Sequence, residues 1–460
     1  MSYLGYPEYQ ESKAVWLGRI PTHWEPKRLR FATGRIEQGW SPQCDNNLAE
    51  DDTWGVMKVG CVNGDQFDAR ENKALPPDLE AKSEYELHPK DILVSRANTR
   101  ELIGSAAIVP DNVRPKLLLC DKLFRLSPNT DVNEEFLTLC LRTPAARYQY
   151  EREATGASGS MQNIGQDTLK NLVLPFPPYE EQKTIAAFLA WKTNQIDTLI
   201  AKKKELMEKL KEKRLAVITQ AVTKGLDLAA PLRDSGIPWL GDVPKHWNVK
   251  RLRFAVTKIE QGWSPQCDNQ PAEEDAWGVM KVGCVNGDEF DPLENKSLPA
   301  ELVPLREYEL KPKDILISRA NTKELLGSAA IVPSNIRPKL LLCDKLFRLC
   351  PDPQVDEEFL TGYLRTPAAR YQYEREATGS SGSMQNIGQG TLKNLVVAFP
   401  PLDEQRSIFQ YIRVESANVD VLMQKTESAI AHLTEYRTAL ITAATTGKID
   451  VRQVAIPAPT

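Results

Sequence analysis

The sequence predicts two copies of one mixed α/β domain, each followed by a long α-helix, in a pseudo-twofold arrangement. Three observations predict this fold class. The chain repeats itself with a period of 223 residues. Short β-branched and aromatic runs, separated by Gly and Pro, fill the first part of each repeat and are typical of strands between turns. A stretch without Gly or Pro closes each repeat and carries a seven-residue apolar period, which is typical of coiled-coil helices.

The composition is that of a globular protein. The 460 residues suggest about three domains, and 41% of them are apolar and 26% charged. The net charge of -4 excludes a wholly basic nucleic-acid coat but allows a local basic face. No run of 18 apolar residues occurs, and the start MSYLGYPEYQES lacks a signal-peptide pattern. The eight cysteines form no CxxC pair. We therefore expect a cytoplasmic protein with reduced thiols and no zinc finger.

The repeat is close to exact over long stretches. Residues 91–126 and 314–349 differ at only five of 36 positions, and residues 143–174 and 366–397 differ at three. A period this long indicates duplication of a whole domain together with its helix. The boundaries that follow are 1–178 for the first domain, 179–226 for its helix, 227–401 for the second domain, 402–449 for its helix, and 450–460 for a C-terminal tail.

The domains are expected to combine strands with a helix. WGVMKVG, KDILVSR and SAAIVP are predicted strands in the first copy. The stretch at 133–152 is predicted to be a helix, because Phe136, Leu137, Cys140 and Leu141 share one face.

The long helices are predicted from Glu180 to about Lys224 and from Asp403 to about Lys448, each after a Pro pair and with a Gly, Gly225 or Gly447, at its end. Alternating steps of four and three residues give an apolar seam on each helix. The two helices are the natural partners for each other, although an ordinary amphipathic helix packed on its own domain is the alternative. The seam positions predicted to bind the partner helix are Ile185, Leu189, Ile196, Leu199, Leu206 and Leu210 on the first helix, and Ile408, Ile412, Val419, Leu422, Leu433 and Leu440 on the second.

Catalytic motifs are missing from the sequence. There is no Walker A loop, HExxH or GxSxG. FPPY at 176–179 is close to the [DN]PP[FY] motif of amino-methyltransferases, but it has Phe176 where that motif needs Asp or Asn, so we interpret it as a linker. The loops at 154–165 and 377–388 lack phosphate-binding GxGxxG spacing and are predicted to be turned or mobile loops.

These features resemble the DNA specificity subunit of Type I restriction-modification systems. The most specific similarity lies at the joins, SGSMQNIGQDTLKNLVLPFPPYEEQKTIAAFLAWKTNQIDTLIAKK and SMQNIGQGTLKNLVVAFPPLDEQRSIFQYI. PxPPxxEQ, then an amphipathic helix, then AVTKGLD or ATTGKID, is similar to the conserved regions of that family. WLGxxPxHW and DIL[VI]SR are similar to its target-recognition domains. The resemblance covers nearly the whole chain.

The resemblance implies a non-catalytic subunit that reads a bipartite DNA site. Each globule would read one half-site, and the helices would form an antiparallel coiled coil that acts as a ruler. Two methyltransferase subunits would dock and methylate adenine N6, and restriction subunits would translocate and cleave the DNA. S-adenosylmethionine, ATP and Mg would be bound by these partners and none of them by this chain. In that family the two domains usually differ. Here they are nearly identical, so we expect a palindromic site with a non-specific spacer.

Polar side chains that recur near predicted strand ends are the candidates for DNA contact. Arg suits guanine edges and phosphates, and Asn and Gln suit adenine edges. For any single residue, a solvated surface or a structural hydrogen bond is the alternative. The candidates are Gln38, Trp40, Arg96, Asn98 and Arg100 in the first copy, and Gln261, Trp263, Arg319, Asn321 and Lys323 in the second.

Two other classes of protein remain open at this point. A coiled-coil assembly scaffold that does not read DNA would show no sequence-specific footprint. A stand-alone nucleic-acid enzyme would need catalytic motifs that the sequence lacks.

Overall fold

The structure is a computed structural model that describes residues 3–64, 66–156, 161–287, 289–379 and 384–457. The chain divides into two compact units. The first comprises residues 1–203 and 428–460, and the second comprises residues 204–427. Each unit therefore contains one globule and a segment of each long helix, instead of one globule followed by its own whole helix.

The described residues of the first globule form thirteen short strands and three short helices. Its 3-10 turns are Leu29–Phe31, Val59–Val62 and Ser83–Tyr85. Its helices are α1 Glu134–Leu141, α2 Pro144–Glu153 and α3 Gln166–Asn171. Its strands are β1 Tyr9–Glu11, β2 Arg19–Pro21, β3 Glu25–Arg28, β4 Thr33–Gln38, β5 Gly55–Met57, β6 Asn72–Ala74, β7 Ile92–Ser95, β8 Ala97–Asn98, β9 Ala106–Ile108, β10 Leu117–Leu118, β11 Leu123–Pro128, β12 Gln162–Asn163 and β13 Val173–Phe176.

A four-stranded sheet in the order β4-β11-β7-β9 forms the centre of this globule. Strand β11 is antiparallel to both β4 and β7, so β4 and β7 end at the same edge of the sheet. A three-stranded sheet, β10-β5-β6, packs with its own hydrophobic cluster, and two-stranded pairs β1-β2, β12-β8 and β13-β3 complete the globule.

The long helix α4 spans Tyr179–Lys224, and the last helix, α8, spans Leu402–Thr445. The second globule lies between them in sequence. Its 3-10 turns are Leu252–Phe254, Val282–Val285 and Arg306–Tyr308. Its helices are α5 Glu357–Leu364, α6 Pro367–Glu376 and α7 Gln389–Asn394. Its strands are β14 Leu232–Asp234, β15 Asp242–Pro244, β16 Asn248–Arg251, β17 Val256–Gln261, β18 Gly278–Met280, β19 Asn295–Ser297, β20 Ile315–Ser318, β21 Ala320–Asn321, β22 Ala329–Ile331, β23 Leu340–Leu341, β24 Leu346–Pro351, β25 Gln385–Asn386 and β26 Val396–Phe399.

The second globule repeats the topology of the first. Its four-stranded sheet has the order β17-β24-β20-β22, and its three-stranded sheet has the order β19-β18-β23. The mixed α/β class that the sequence predicts is therefore present in both copies.

The single helix predicted at 133–152 is instead two helices, α1 and α2. Pro144 has no N–H to continue the hydrogen-bond ladder of α1, and the Thr143 side chain accepts from the backbone N–H of Ala146. The prediction missed this break because Pro is also well placed at a helix start, and the apolar pattern alone does not distinguish the two cases.

In the first unit, the two long helices run antiparallel. Trp24 donates its indole N–H to Glu181, at the start of α4, at 3.0 Å. A Cβ on Gly447, just after α8 ends, would lie 3.4 Å from the same Trp24. The start of one helix and the end of the other therefore meet at one indole. Ile185, Leu440 and Ala444 are buried together in the core of this unit.

In the second unit, the matching ends meet in the same way. Trp247 donates its indole N–H to Glu404, near the start of α8, at 3.0 Å. A Cβ on Gly225, just after α4 ends, would lie 3.3 Å from Trp247. Gly225 has φ of +79°, a left-handed conformation that favours glycine and terminates the helix.

Most of the predicted seam positions are buried, but three of them are exposed because the order of four- and three-residue steps differs from the predicted order. Ile185, Leu189, Ile196, Leu210, Ile408, Ile412, Val419 and Leu440 are buried, and Leu433 is half-buried. Leu199, Leu206 and Leu422 are exposed at 48%, 45% and 48%. Each of these three is followed by another apolar residue, and that neighbour, Ile200, Met207 or Met423, is half-buried. From Ile196 onward, the less exposed residues follow at steps of four and then three, whereas the predicted seam has steps of three and then four.

The part of the chain that the structure describes contains no helix that is long and apolar enough to cross a membrane. The predicted loops at 154–165 and 377–388 fall partly on residues 157–160 and 380–383, which lie outside the described residues, as do the last three residues of the predicted tail.

Candidate nucleic-acid interface

The candidate site lies at the edge of the four-stranded sheet where β4 and β7 end. Gln38 is the last residue of β4 and pairs with Phe124, and Ser95 is the last residue of β7 and pairs with Leu123. The turn that precedes β11 lies at this same edge. The topology thus brings together segments that are far apart in the sequence, namely 38–41, 96–98 and 121–122.

Four residues at this edge, Gln38, Ser41, Arg96 and Asp121, form what we call the Asp121 cluster. The Gln38 amide donates to the backbone carbonyl of Asp121 at 3.2 Å, and the Arg96 guanidinium reaches the same carbonyl at 3.4 Å. The Ser41 hydroxyl donates to the Asp121 carboxylate at 2.5 Å. Two of the predicted DNA-contact residues, Gln38 and Arg96, are therefore brought together around one turn.

The second copy contains an equivalent Asp344 cluster. Gln261 and Arg319 reach the carbonyl of Asp344 at 3.2 and 3.4 Å, and Ser264 donates to its carboxylate at 2.5 Å. Each contact has the same atoms and the same length as in the first copy. The two globules thus present the same arrangement of polar groups.

A glycine makes the close approach in this cluster possible. A Cβ on Gly39 would lie 2.1 Å from the carbonyl oxygen of Leu119, a distance that no side chain can tolerate. The backbone N–H of Trp40 donates to that carbonyl at 3.0 Å. Gly39 therefore allows the chain to turn tightly beside the strand and positions Trp40 and Ser41.

The predicted tryptophans are half-buried. Trp40 packs against the core of the smaller sheet, and the Lys82 ammonium lies 4.9 Å from its ring centroid. Trp263 packs in the same way, but the residue equivalent to Lys82 is Leu305. Both rings support the site and leave only part of their surface available to a ligand.

The structure does not support Asn98 and Asn321 as base-reading residues. Both are only 6% exposed. The Asn98 amide donates to the Asn63 side chain at 2.7 Å, and its oxygen accepts from the backbone N–H of Thr99 at 2.9 Å. Asn321 makes the same two contacts, with Asn286 and Thr322. These side chains are therefore used within the protein, where they hold the turn that follows β7 or β20.

The remaining predicted candidates, Arg100 and Lys323, are solvent-exposed. The Arg100 side chain is 70% exposed and lies 3.6 Å from Glu151. The backbone carbonyl of Lys323 accepts from Arg370 at 3.0 Å. No contact in the described residues brings either of them into the Asp121 or Asp344 cluster, so they flank the site and do not form it.

Sequence reasoning missed three residues at each edge. Asp121 organises the first cluster, and Lys122 and Asn63 present exposed polar side chains beside it. The sequence position of Asp121 and Lys122 could have identified them. Asp121 and Lys122 form a charged pair between two apolar runs, LLLC and LFRL, in both copies.

A buried ion pair holds the strands that carry the site. Arg125, on β11, is 6% exposed and binds Glu37, the neighbour of Gln38, at 2.8 Å. The same guanidinium reaches Asp91, just before β7, at 3.4 Å. Burial raises the pKa of Asp91, although the N–H of His88 and the charge of Arg125 counteract part of that rise. Arg348 occupies the same position in the second copy, with Glu260 and Asp314.

The groups at this edge are mostly hydrogen-bond donors. Amide, hydroxyl, guanidinium and ammonium groups at one edge can donate to base edges and phosphates. The described residues contain no group of three or more His, Cys, Asp or Glu side chains that could hold a metal ion.

Comparison with known proteins points to one family. Residues 45–209 match the family described as Type I restriction modification DNA specificity domain. The chain is 22% identical over 447 residues to the Type I restriction enzyme EcoKI specificity subunit of Escherichia coli strain K12, covering 95% of this chain and 91% of that one. It is 24% identical over 455 residues to the putative type I restriction enzyme MjaX specificity subunit of Methanocaldococcus jannaschii, covering 98% and 99%.

A third relative matches over a shorter stretch. The EcoEI specificity subunit of Escherichia coli is 28% identical over 228 residues, which are 49% of this chain and 38% of that protein. The match thus spans well under two thirds of that relative.

Solved structures share the fold. A chain solved in work on complex assembly and conformational transition of the type I R-M system aligns with a TM-score of 0.67 at 18% identity, over 93% of this chain and 98% of that one. The HsdS subunit from Thermoanaerobacter tengcongensis aligns with a TM-score of 0.53 at 17% identity, over 94% and 98%.

Proposed function

We propose that this chain, whose residues 45–209 match the family described as Type I restriction modification DNA specificity domain, is the DNA-reading, non-catalytic subunit of a Type I restriction-modification enzyme. In this role it binds double-stranded DNA and positions two adenine-N6 methyltransferase subunits and the restriction subunits. S-adenosylmethionine, ATP and Mg bind to those partners and not to this chain.

The observation that carries the proposal is the duplicated polar edge. The Asp121 and Asp344 clusters offer the same donors, at the same distances, from two globules of the same topology. Two equal readers related by a pseudo-twofold axis recognise the same half-site on opposite strands. We therefore propose a palindromic, bipartite target with a spacer that the protein does not read.

Within this proposal, the residues divide into two roles. Gln38, Arg96 and Lys122, with their repeat mates, contact DNA directly, because their side chains are exposed or half-buried at the edge of the sheet. Arg125, its repeat mate Arg348 and the buried asparagines keep the strands and turns in place. The two long helices keep the readers at a fixed spacing.

A footprinting experiment tests this function. The chain is assembled with its methyltransferase subunits and incubated with a random-sequence DNA pool at rising salt concentration, and the protected DNA is sequenced. We expect an enriched bipartite motif that persists at moderate salt, because base contacts survive when phosphate contacts weaken. Binding that shows no motif and disappears with salt would instead favour a coiled-coil assembly scaffold.

A further inference from the structure

An ion pair between the two long helices occurs in each unit. In the first unit, Arg437 of α8 binds Asp197 of α4 at 2.9 Å. In the second unit, Arg214 of α4 binds Asp420 of α8 at 3.0 Å. Asp197 and Asp420 are repeat mates, and so are Arg214 and Arg437, because each pair is 223 residues apart. The same contact therefore occurs twice with the roles of the helices exchanged.

The arginines occupy positions where a coiled coil normally has apolar side chains. The less exposed residues of each long helix repeat in steps of four and three. On α4 they include Leu210, Arg214 and Val217, and on α8 they include Leu433, Arg437 and Leu440. The side chains of Arg214 and Arg437 are only 26% and 17% exposed. Each guanidinium is therefore inserted into the seam, and its partner aspartate lies at the margin, about half exposed.

The four-and-three pattern of each helix also includes a polar residue. Lys203 on α4 is half-buried, and its repeat mate Thr426 on α8 is 6% exposed. The Thr426 hydroxyl donates to a carbonyl of its own helix at 2.8 Å. Apolar packing alone specifies helix register poorly where such residues interrupt it, whereas a polar group in a seam permits only the register that gives it a partner.

We propose that Arg214–Asp420 and Asp197–Arg437 are positioning pairs that fix the stagger of the two long helices, and through it the spacing of the two DNA half-sites. The inference rests on the proposed function, because it assigns the spacing selectivity of that function to four residues. A slip of one heptad would move a helix by about 10 Å, since each residue rises about 1.5 Å. That distance corresponds to roughly three base pairs at about 3.4 Å each.

The repeat offers two variants of identical composition. Arg214→Asp with Asp420→Arg reverses one pair and leaves an attractive contact in both units. Arg214→Asp with Asp197→Arg exchanges the same residue types within α4 and places like charges opposite each other in both units. The two variants have the same net charge and the same amino-acid content. Any difference in spacer preference between the two variants is therefore caused by the pairing of the charges and not by the amino-acid composition.

The readout is methylation by the full chain assembled with its methyltransferase subunits. The substrates are DNAs that carry the two half-sites with the natural spacer or with spacers up to three base pairs shorter or longer. We expect the reversed-pair variant to keep the spacer preference of the unmodified chain. We expect the within-helix variant to lose at least fivefold in that preference. Equal preference in both variants would overturn the proposal.

A third variant separates register from stability. Arg214→Met with Arg437→Met removes both guanidinium groups and makes the seam more apolar, and the two aspartates that remain are about half exposed, so that water can solvate them. We expect this variant to melt at or above the temperature of the unmodified chain and yet to methylate altered spacers more readily. If it melts normally and keeps its spacer preference, the pairs do not set the stagger. If the complex with the unmodified chain shows no site-specific methylation, the result contradicts the proposed function itself, and the inference about spacing falls with it.

Discussion

Replacing Arg125 tests whether a buried ion pair holds the strands that carry the site. Arg125 is 6% exposed and makes contacts with Glu37 at 2.8 Å, with Asp91 at 3.4 Å and with the backbone carbonyls of Glu86 and Glu84 at 2.6 and 2.9 Å. Arg125→Met keeps most of the volume but removes one donor from two largely buried carboxylates and from two backbone carbonyls. Breaking one partner of a buried ion pair costs about 3–5 kcal/mol.

The same carboxylate provides a matched control. Arg35 also binds Glu37 at 2.5 Å, but its own side chain is 70% exposed. Arg35→Met removes an ion pair to the same acceptor from the solvent side, where such pairs contribute about 0–1 kcal/mol. Unfolding of the full chain in denaturant measures both variants. For a unit of this size we also expect Arg125→Met to lower the Tm by about 10 °C. Equal losses in the two variants would refute the reasoning.

The Arg125→Met deficit should also depend on pH. Burial raises the pKa of Asp91, and the charge of Arg125 opposes that rise. Removing Arg125 should therefore raise the pKa of Asp91 in the folded protein further. A carboxyl whose pKa is higher in the folded than in the unfolded state destabilises the fold above that pKa, and the penalty fades as the group is protonated. The deficit should therefore shrink as the pH falls from neutral toward the pKa of Asp91. A deficit that is constant with pH would contradict this cause.

Three further outcomes are expected. Arg96→Ala and Arg319→Ala should each lower binding of a symmetric DNA target by the same factor, about 5- to 150-fold for a base-contacting arginine, and unequal losses in a quantitative binding assay would show that the two readers differ. Gly39→Ala should destabilise the chain strongly in a denaturation experiment, because the new Cβ would lie 2.1 Å from the Leu119 carbonyl, whereas Gly390→Ala, in helix α7, meets nothing within 4 Å and should cost far less. At pH 8 a thiol reagent should label at most three of the eight cysteines in the folded protein and all eight after unfolding, because the other five are buried and burial raises the pKa of thiols such as Cys120 to about 12.

The sequence was sufficient to predict the duplication and the long helices. The helix starts follow Pro177-Pro178 and Pro400-Pro401, and the structure begins the helices at Tyr179 and Leu402. The phase of the seam was not predictable, because Leu199-Ile200 and Leu206-Met207 are both apolar pairs and either member could face inward. The phase that the structure adopts puts Arg214 in the seam, which an apolar pattern counts as a mismatch.

The candidate site was predictable only in part. Gln38 and Arg96 could be nominated from their types and their recurrence. Their convergence on Asp121 depends on β4 and β7 ending at the same edge, which follows from sheet order and not from local sequence. The same reasoning overestimated Asn98, because its type suits an adenine edge while its position in the sheet commits its amide to Asn63.

The most direct test of the central claim is the methylation pattern that the assembled complex leaves on a genome. Host DNA is sequenced for N6-methyladenine with and without the gene for this chain, in the presence of the methyltransferase subunits. The account predicts one new bipartite motif whose two halves are inverted copies of each other, separated by a spacer of fixed length. Two unrelated half-sites, or no motif that depends on this chain, would contradict it.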